Sequence, residues 1–242
     1  MKFSGKVVII TGAGRGLGKA CAKAFAHEGA RVVLAGRTFA KVEAAAAEII
    51  KDGGQALPVL CDVSNYADVK NCVAETVKRY GTVDVVINNA AVQQTRPVVE
   101  TDIEEWDKQI KTNLYGSFFF CREVLPVMIK NRYGKIINIS SSAAKHFFPG
   151  FGAYAASKAG IAGLSNILSE EVKEYGINVN TIYLGLTRTE AVTGRVGIDP
   201  AVDQPPDKMM TPEEAAKVIL FVASDDGKPF VGSGLDVFGL LP

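Results

Sequence analysis

A chain of 242 residues, 48% of them apolar, is long enough to bury a sizeable core and suits one large α/β domain, residues 1–242. Its net charge of +1 gives no excess for holding nucleic acid or an acidic membrane surface, and its four cysteines lack metal-site spacing. Only four apolar residues, 7–10, follow the lysine-bearing N-terminus and no apolar run reaches spanning length, so a soluble, cytoplasmic protein with buried free thiols and no bound metal is expected.

Short β-branched runs alternate with helical patterns. The first strand, 7–11, runs straight into Thr11-Gly12-Ala13-Gly14-Arg15-Gly16-Leu17-Gly18, and a helix follows over 17–28. Glycines in that place let the backbone approach a pyrophosphate, and the helix N-terminus offers free N–H groups and the positive end of its dipole. A ligand-free tight turn would give the same glycine spacing; the placement between a strand and a helix favours a dinucleotide. The second strand, 31–35, ends in Ala35-Gly36-Arg37-Thr38. An NAD site wants a carboxylate there for the ribose 2′-hydroxyl, and none is present. Arg37 and Arg15 instead offer two guanidiniums to the 2′-phosphate of NADP(H), with NAD(H) the weaker candidate and solvated surface arginines the plainer alternative.

A helix at 41–51 and a strand at 56–60 lead to Asp62-Val63. A helix at 68–80 stops at Gly81, and a strand at 83–88 delivers Asn88-Asn89-Ala90. One long helix is expected over 103–130, bent near Gly116. It carries Asn113, and Trp106 lies at helical spacing from Ile103 and Ile110, a core pattern. The strand at 135–140 enters three serines, Ser140 to Ser142. A helix at 153–175 ends at Gly176, and a strand at 178–183 precedes Gly185, Thr187 and Thr189. Residues 190–210 contain Gly and Pro without a clear period, the mark of a lid or substrate loop. Thr211 and Pro212 open a last helix, 212–223, before a strand at 235–238. Such alternation implies a Rossmann-like, doubly wound parallel sheet with helices on both faces.

The helix at 153–175 carries Tyr154 and Lys158, which four-residue spacing sets side by side on one face. A free phenol has a pKa of about 10, and a neighbouring ammonium lowers it toward useful proton transfer. The alanines around the pair, Ala155, Ala156 and Ala159, suggest close packing of this helix on its neighbours. Between Ser141 and Tyr154, His146 is either a polar handle for substrate or simply exposed, and Phe147, Phe148 and Phe151 line either a pocket or an interface.

Taken together, the glycine turn, Asp62-Val63, Asn88-Asn89-Ala90, Asn113, Asn138-Ile139-Ser140-Ser141, the Tyr154/Lys158 pair and the segment from Gly185 to Thr189 resemble the short-chain dehydrogenase/reductase family over nearly the whole chain. The likeness is greatest to 3-oxoacyl-[acyl-carrier-protein] reductases and related ketoreductases. The resemblance implies a nicotinamide cofactor and carbonyl–alcohol redox chemistry. It implies Tyr154 as general acid, Lys158 on both the phenol and the nicotinamide ribose, Ser141 on the substrate oxygen, and Asn113 positioning a water that leads to Lys158. The family places its serine thirteen residues before the tyrosine, which selects Ser141 over Ser140. Cofactor contacts are implied at Gly12, Gly14, Arg15, Gly16, Leu17, Gly18, Arg37, Asp62, Val63, Asn89, Ala90, Tyr154, Lys158, Gly185, Thr187 and Thr189. A small carbonyl or alcohol substrate, an acyl thioester among the options, and a homotetramer complete the expectation. The chain departs from the family pattern at Ala91, Tyr183, Leu184 and Phe238.

Overall fold

Seven parallel strands form one sheet in the order β3-β2-β1-β4-β5-β6-β7 in the computed structural model, which describes residues 1–193 and 206–239. The strands are β1 (Val7–Thr11), β2 (Arg31–Gly36), β3 (Gln55–Leu60), β4 (Val85–Asn88), β5 (Gly134–Ser141), β6 (Ile177–Leu184) and β7 (Gly234–Val237). The helices are α1 (Gly16–His27), α2 (Phe39–Lys51), α3 (Tyr66–Tyr80), α4 (Ile103–Gln109), α5 (Gly116–Asn131), α6 (Gly152–Val172), the single turn α7 (Glu190–Thr193) and α8 (Pro212–Ala223).

Continuous apolar strands are read correctly as strands covered twice. Val8 and Ile10 of β1, with Val32 and Leu34 of β2, pack under α1, α2 and α8. Their sequence neighbours Val7, Ile9, Val33 and Ala35 pack on the other face under α3, α5 and α6. Full burial of each such side chain contributes roughly 1.5–3 kcal/mol, so both layers are needed to hold the sheet. From β3 at the sheet edge the chain returns through α3 to β4, beside β1. The strand order therefore reverses between β1 and β4, and an open α/β sheet keeps its ligand crevice at the carboxyl ends of that pair.

The expected single helix over 103–130 is divided. A π-helical turn, Ile110–Tyr115, separates α4 from α5 just before Gly116. Gly116 sits there because a Cβ would lie 2.8 Å from the Val63 side chain. The wider turn shifts the apolar stripe, which explains the misplaced tryptophan: Trp106 is 37% exposed rather than core, while Phe120, Cys121, Val124 and Met128 of α5 are buried. All four cysteines are buried and free.

The base of the 190–210 segment is ordered. Thr187 and Met210 form a parallel bridge, Arg188 N–H donates to the Met210 carbonyl at 2.8 Å, and Met210 N–H donates to the Leu186 carbonyl at 3.1 Å. Residues 194–205 lie outside the described residues. α8 opens with the Thr211 and Pro212 the sequence suggested, and Glu214 closes a capping box with Thr211. Among the described residues no helix is long and apolar enough to cross a membrane.

Candidate active site

A cleft of about 410 Å³ opens over the β1–β4 switch point. Its floor is the glycine turn, with Gly12, Gly14, Arg15, Gly16, Leu17 and Gly18 all on the lining. Backbone geometry makes two of these glycines obligatory. Gly12 has φ +67°, and at Gly18 a Cβ would meet the Gly12 carbonyl oxygen at 2.3 Å and the Asn89 carboxamide at 2.8 Å. Asn89 fastens the two strand ends together, its Nδ2 donating to the Thr11 carbonyl at 2.8 Å. The N–H groups of Asn89 and Ala90 both donate to Thr11 Oγ1 at 2.9 Å. No side chain caps the N-terminus of α1 and no acid occupies its first turn, so its N–H groups face the cleft uncompensated.

Arg37, Thr38, Asp62 and Val63 line the same cleft as Arg15. Both arginines are exposed. The Asp62 carboxylate is turned to local use, its Oδ1 accepting the Ser64 N–H at 2.9 Å and hydroxyl at 2.7 Å. Sequence reading missed Lys41, which also lines the cleft and whose Cβ stands against Gly14. A signal was present: helix first turns favour acids, and α2 carries a lysine and no acid there. Ala91 lines the cleft too. Of Gly185, Thr187 and Thr189, only Thr189 lines it, and Glu190 lines it as well. Gly185 instead lies against the backbone of Phe238, and Thr187 is buried in its bridge to Met210, so these two are not part of the lining.

The catalytic candidates stand beside this cleft rather than on its lining. β5 ends at Ser141, whose Oγ accepts the Ala143 N–H at 3.2 Å. Ser140 points the other way: its buried Oγ donates to the Lys158 carbonyl at 2.9 Å, a structural bond that ties β5 to α6. Tyr154 lies in the first turn of α6 with its ring edge-on to Phe151, centroids 5.9 Å apart. One turn on, Lys158 is 2% exposed, and its Nζ donates to the Ile139 carbonyl at 2.7 Å and lies 5.6 Å from the Tyr154 ring centroid. The helical spacing thus brings phenol and amine together as expected. Close packing of α6 comes from elsewhere than expected. Gly160 is what lets it approach the π turn, where a Cβ would meet Leu114 at 2.9 Å, while Ala156 and Ala159 face outward.

Asn113 occupies the π turn and is fully buried. Its Nδ2 donates to the Val92 carbonyl and to Ser157 Oγ, both at 2.9 Å, and its Oδ1 accepts the Val92 N–H at 2.8 Å. Both amide donors are spent, so the side chain braces the post-β4 segment against α6. A second buried ladder runs Asn88 to Asn138 to Ser165, with 2.8 Å at each step, and fixes β4, β5 and α6 in register.

Burial pushes the Lys158 amine down from its ordinary 10.5 to about 7. The unfolded chain therefore holds this proton up to about 10.5 and the folded chain only to about 7. Below pH 7 the buried charge is a full penalty on stability; the penalty fades as pH rises from 7 toward 10.5. Lys158→Met is thus expected to gain most in melting temperature over the parent at pH 6–7, with the difference shrinking by pH 9.5. Calorimetry across that range checks it, and a pH-independent difference would show that burial of the amine costs little.

Strand order, switch-point cleft and glycine turn together define a dinucleotide-binding oxidoreductase fold. The chain belongs to the short chain dehydrogenase family, whose model matches residues 6–196. It is 34% identical over 242 residues to the 3-oxoacyl-[acyl-carrier-protein] reductase FabG of Thermotoga maritima, covering 99% of this chain and 98% of that one. It is 38% identical over 191 residues to a sorbitol dehydrogenase of Cereibacter sphaeroides, covering 78% and 73%. The crystal structure of levodione reductase superposes with a TM-score of 0.92 at 30% identity, over 98% of this chain and 97% of that one. Membership makes the protein an NAD(P)-dependent oxidoreductase acting on CH–OH and C=O groups.

Proposed function

We propose that the protein reduces a ketone to a secondary alcohol, or runs the reverse reaction, with NADP(H) as the preferred cofactor. The observation that carries this reading is the placement of a buried Lys158 amine beside the Tyr154 ring, one turn apart on α6 and next to the end of β5. A dinucleotide held by the glycine turn, Asn89, Ala90, Asp62, Val63 and Thr189 would supply the hydride. The remaining work belongs to side chains. Tyr154 donates its phenolic proton to the carbonyl oxygen. Ser141 accepts from Ala143 N–H, which leaves its own O–H to donate to that same oxygen and stabilise charge developing there. Lys158 sets its amine, charged below pH about 7, within reach of the phenol and holds the ribose, while Asn113 keeps the π turn and α6 in place. Gly185 and Thr187 support the nicotinamide side from behind, through Phe238 and Met210. Residues 190–210 serve as the substrate loop, closed at its base by the Thr187–Met210 bridge and reaching the cleft with Glu190.

The test is a panel of 3-oxoacyl thioesters, diketones, quinones and keto-sugars with NADPH, read as loss of reduced-cofactor absorbance. The thioesters are included because the Thermotoga relative carries that activity in its name, and the keto-sugars because the Cereibacter relative is named for a polyol. Turnover of none of them would remove the reading. Four buried free thiols suit a reducing cytoplasm.

Assembly is part of the proposal. Tyr115 of the π turn, Phe118 of α5 and Ile167 of α6 are exposed apolar side chains, and the outward face of α6 carries Ala156 and Ala159. Among the described residues β7 is an edge strand with no neighbour on its outer side. A homotetramer with two-fold interfaces would cover such surfaces. Light scattering is expected to report about four times the 25.8 kDa chain mass, and a 25.8 kDa particle at micromolar concentration would overturn it.

A further inference from the structure

Resting on the ketone-reductase reading, the turn between β5 and α6 bears on which ketone is bound. Phe147, at its tip, is 100% exposed, and Phe148 beside it is 38% exposed. A run of ring contacts leads inward from there. Phe148 meets Phe151 with centroids 5.6 Å apart, and Phe151 meets Tyr154 at 5.9 Å.

The turn is fastened at both ends. The N–H groups of Lys145 and His146 donate to the Ser142 carbonyl at 2.9 and 2.8 Å. The Lys145 amine bonds Asp236 at 2.5 Å and lies 3.9 Å from the centroid of the Tyr183 ring. His146 stacks edge-on against Phe238 at 5.4 Å. At the far end the Gly150 carbonyl accepts the Arg96 N–H at 2.9 Å, and the Val98 side chain would lie 3.0 Å from a Cβ at Gly152. Tyr183 and Phe238, two departures from the family pattern, are thus among the anchors of this turn.

A fully exposed ring on an anchored turn, next in sequence to Phe148, whose ring is joined through Phe151 to the proposed general acid, extends an apolar surface outward from the reaction centre. The flanking cations are already paired, Arg96 with Glu105 at 3.0 Å and Lys145 with Asp236. Neither is left over to grip an ionic group of a substrate. Phenyl faces offer no partner to hydroxyl groups, and a site built for a polyol must pair each one that it desolvates.

We propose that Phe147 and Phe148, backed by the buried Phe151, form a shelf for the apolar tail of the substrate, an alkyl chain or an aryl ring, and that the protein prefers such ketones to keto-sugars. His146 is then the flank of the shelf, fixed by Phe238, and not the handle that grips substrate.

The test compares kcat/KM with NADPH for 4-phenyl-2-butanone, a 3-oxooctanoyl thioester and a keto-pentose, in the full chain and in Phe147→Ser and Phe147→Leu. Both apolar-tailed ketones are expected to exceed the sugar at least tenfold, which corresponds to burying part of one phenyl face. Phe147→Ser is expected to lower the apolar-to-sugar ratio about tenfold through KM, with Phe147→Leu retaining most of it. The thioester and aryl arms show which tail is preferred. A ratio that Phe147→Ser leaves unchanged, or a preference for the sugar, overturns the shelf while the ketone-reductase reading stands. The same holds if Phe147→Ser lowers the particle mass by light scattering but not the ratio, since Phe147 would then be a subunit contact. If no ketone is reduced although NADPH binds, the functional reading fails and the shelf fails with it.

Discussion

Tyr154→Phe is expected to lower kcat at least about a hundredfold while leaving the protein folded and nucleotide binding intact. The substitution removes one hydroxyl and keeps the ring that packs edge-on against Phe151. Tyr154 does not line the cleft over the glycine turn, so most of the nucleotide's contacts are untouched. What is lost is the proton donor at the carbonyl oxygen. Ser141 can still donate a hydrogen bond there, but a serine hydroxyl is far too weak an acid to give up its proton near neutral pH. Single-turnover kinetics with cofactor affinity measured in parallel separates the two effects. Near-full turnover in the variant would assign the acid to another group. Lys158 adds a pH signature: in the free enzyme its amine is charged below about 7 and loses its proton as pH rises through that value. The charge that favours phenolate in Tyr154 is therefore strongest on the acid side of 7.

Much of this fold is legible in the sequence because each strand had to satisfy the same demand. A parallel strand between two helical layers must be apolar on both faces, and Val7 to Ile10 or Ile136 and Ile137 cannot be read as anything half-exposed. The glycine turn was equally plain, since Gly12 and Gly18 meet constraints that no other residue satisfies. The spacing of Tyr154 and Lys158 was local, one helical turn, and so is found unchanged on α6.

What was not legible depended on contacts distant in sequence. The break in the 103–130 helix follows from Gly116 packing on Val63, more than fifty residues away, and the π turn it borders misplaced Trp106. Asn113 was found by resemblance, but its commitment to Val92 and Ser157 comes only from the way α6 crosses the π turn. Likewise Lys41 sits in the first turn of a helix in the sequence, but its place on the cleft comes only from the way α2 sets its Cβ against Gly14.

That third cation bears on the cofactor, where the expected result is a preference for NADPH over NADH of order a hundredfold or somewhat more. The 2′-phosphate brings a charge near −2 to a cleft whose lining includes Arg15, Arg37, Thr38 and Lys41. A hydrogen bond to a charged group contributes roughly 1.5–3 kcal/mol. Arg15, Arg37 and Lys41 are all exposed, so salt and water screen them and hold each to the lower end. Two guanidinium contacts then give about 3 kcal/mol, and at about 1.4 kcal/mol per tenfold this is the stated ratio. Lys41 adds to it less than either arginine, because an ammonium meets phosphate as a point charge while a guanidinium can bond it through two N–H groups. Arg37→Ala is expected to cost about tenfold in NADPH affinity and almost nothing with NADH, and raising the salt should erode the NADPH preference alone. Equilibrium binding of the two cofactors at low and high salt measures this without any turnover. Equal affinities in the parent protein, or a preference that survives loss of both arginines, would show that the phosphate is read elsewhere. If Lys41→Ala alone removed the preference, the lysine fixed by its contact with Gly14 would be the reader and the two exposed arginines its surroundings.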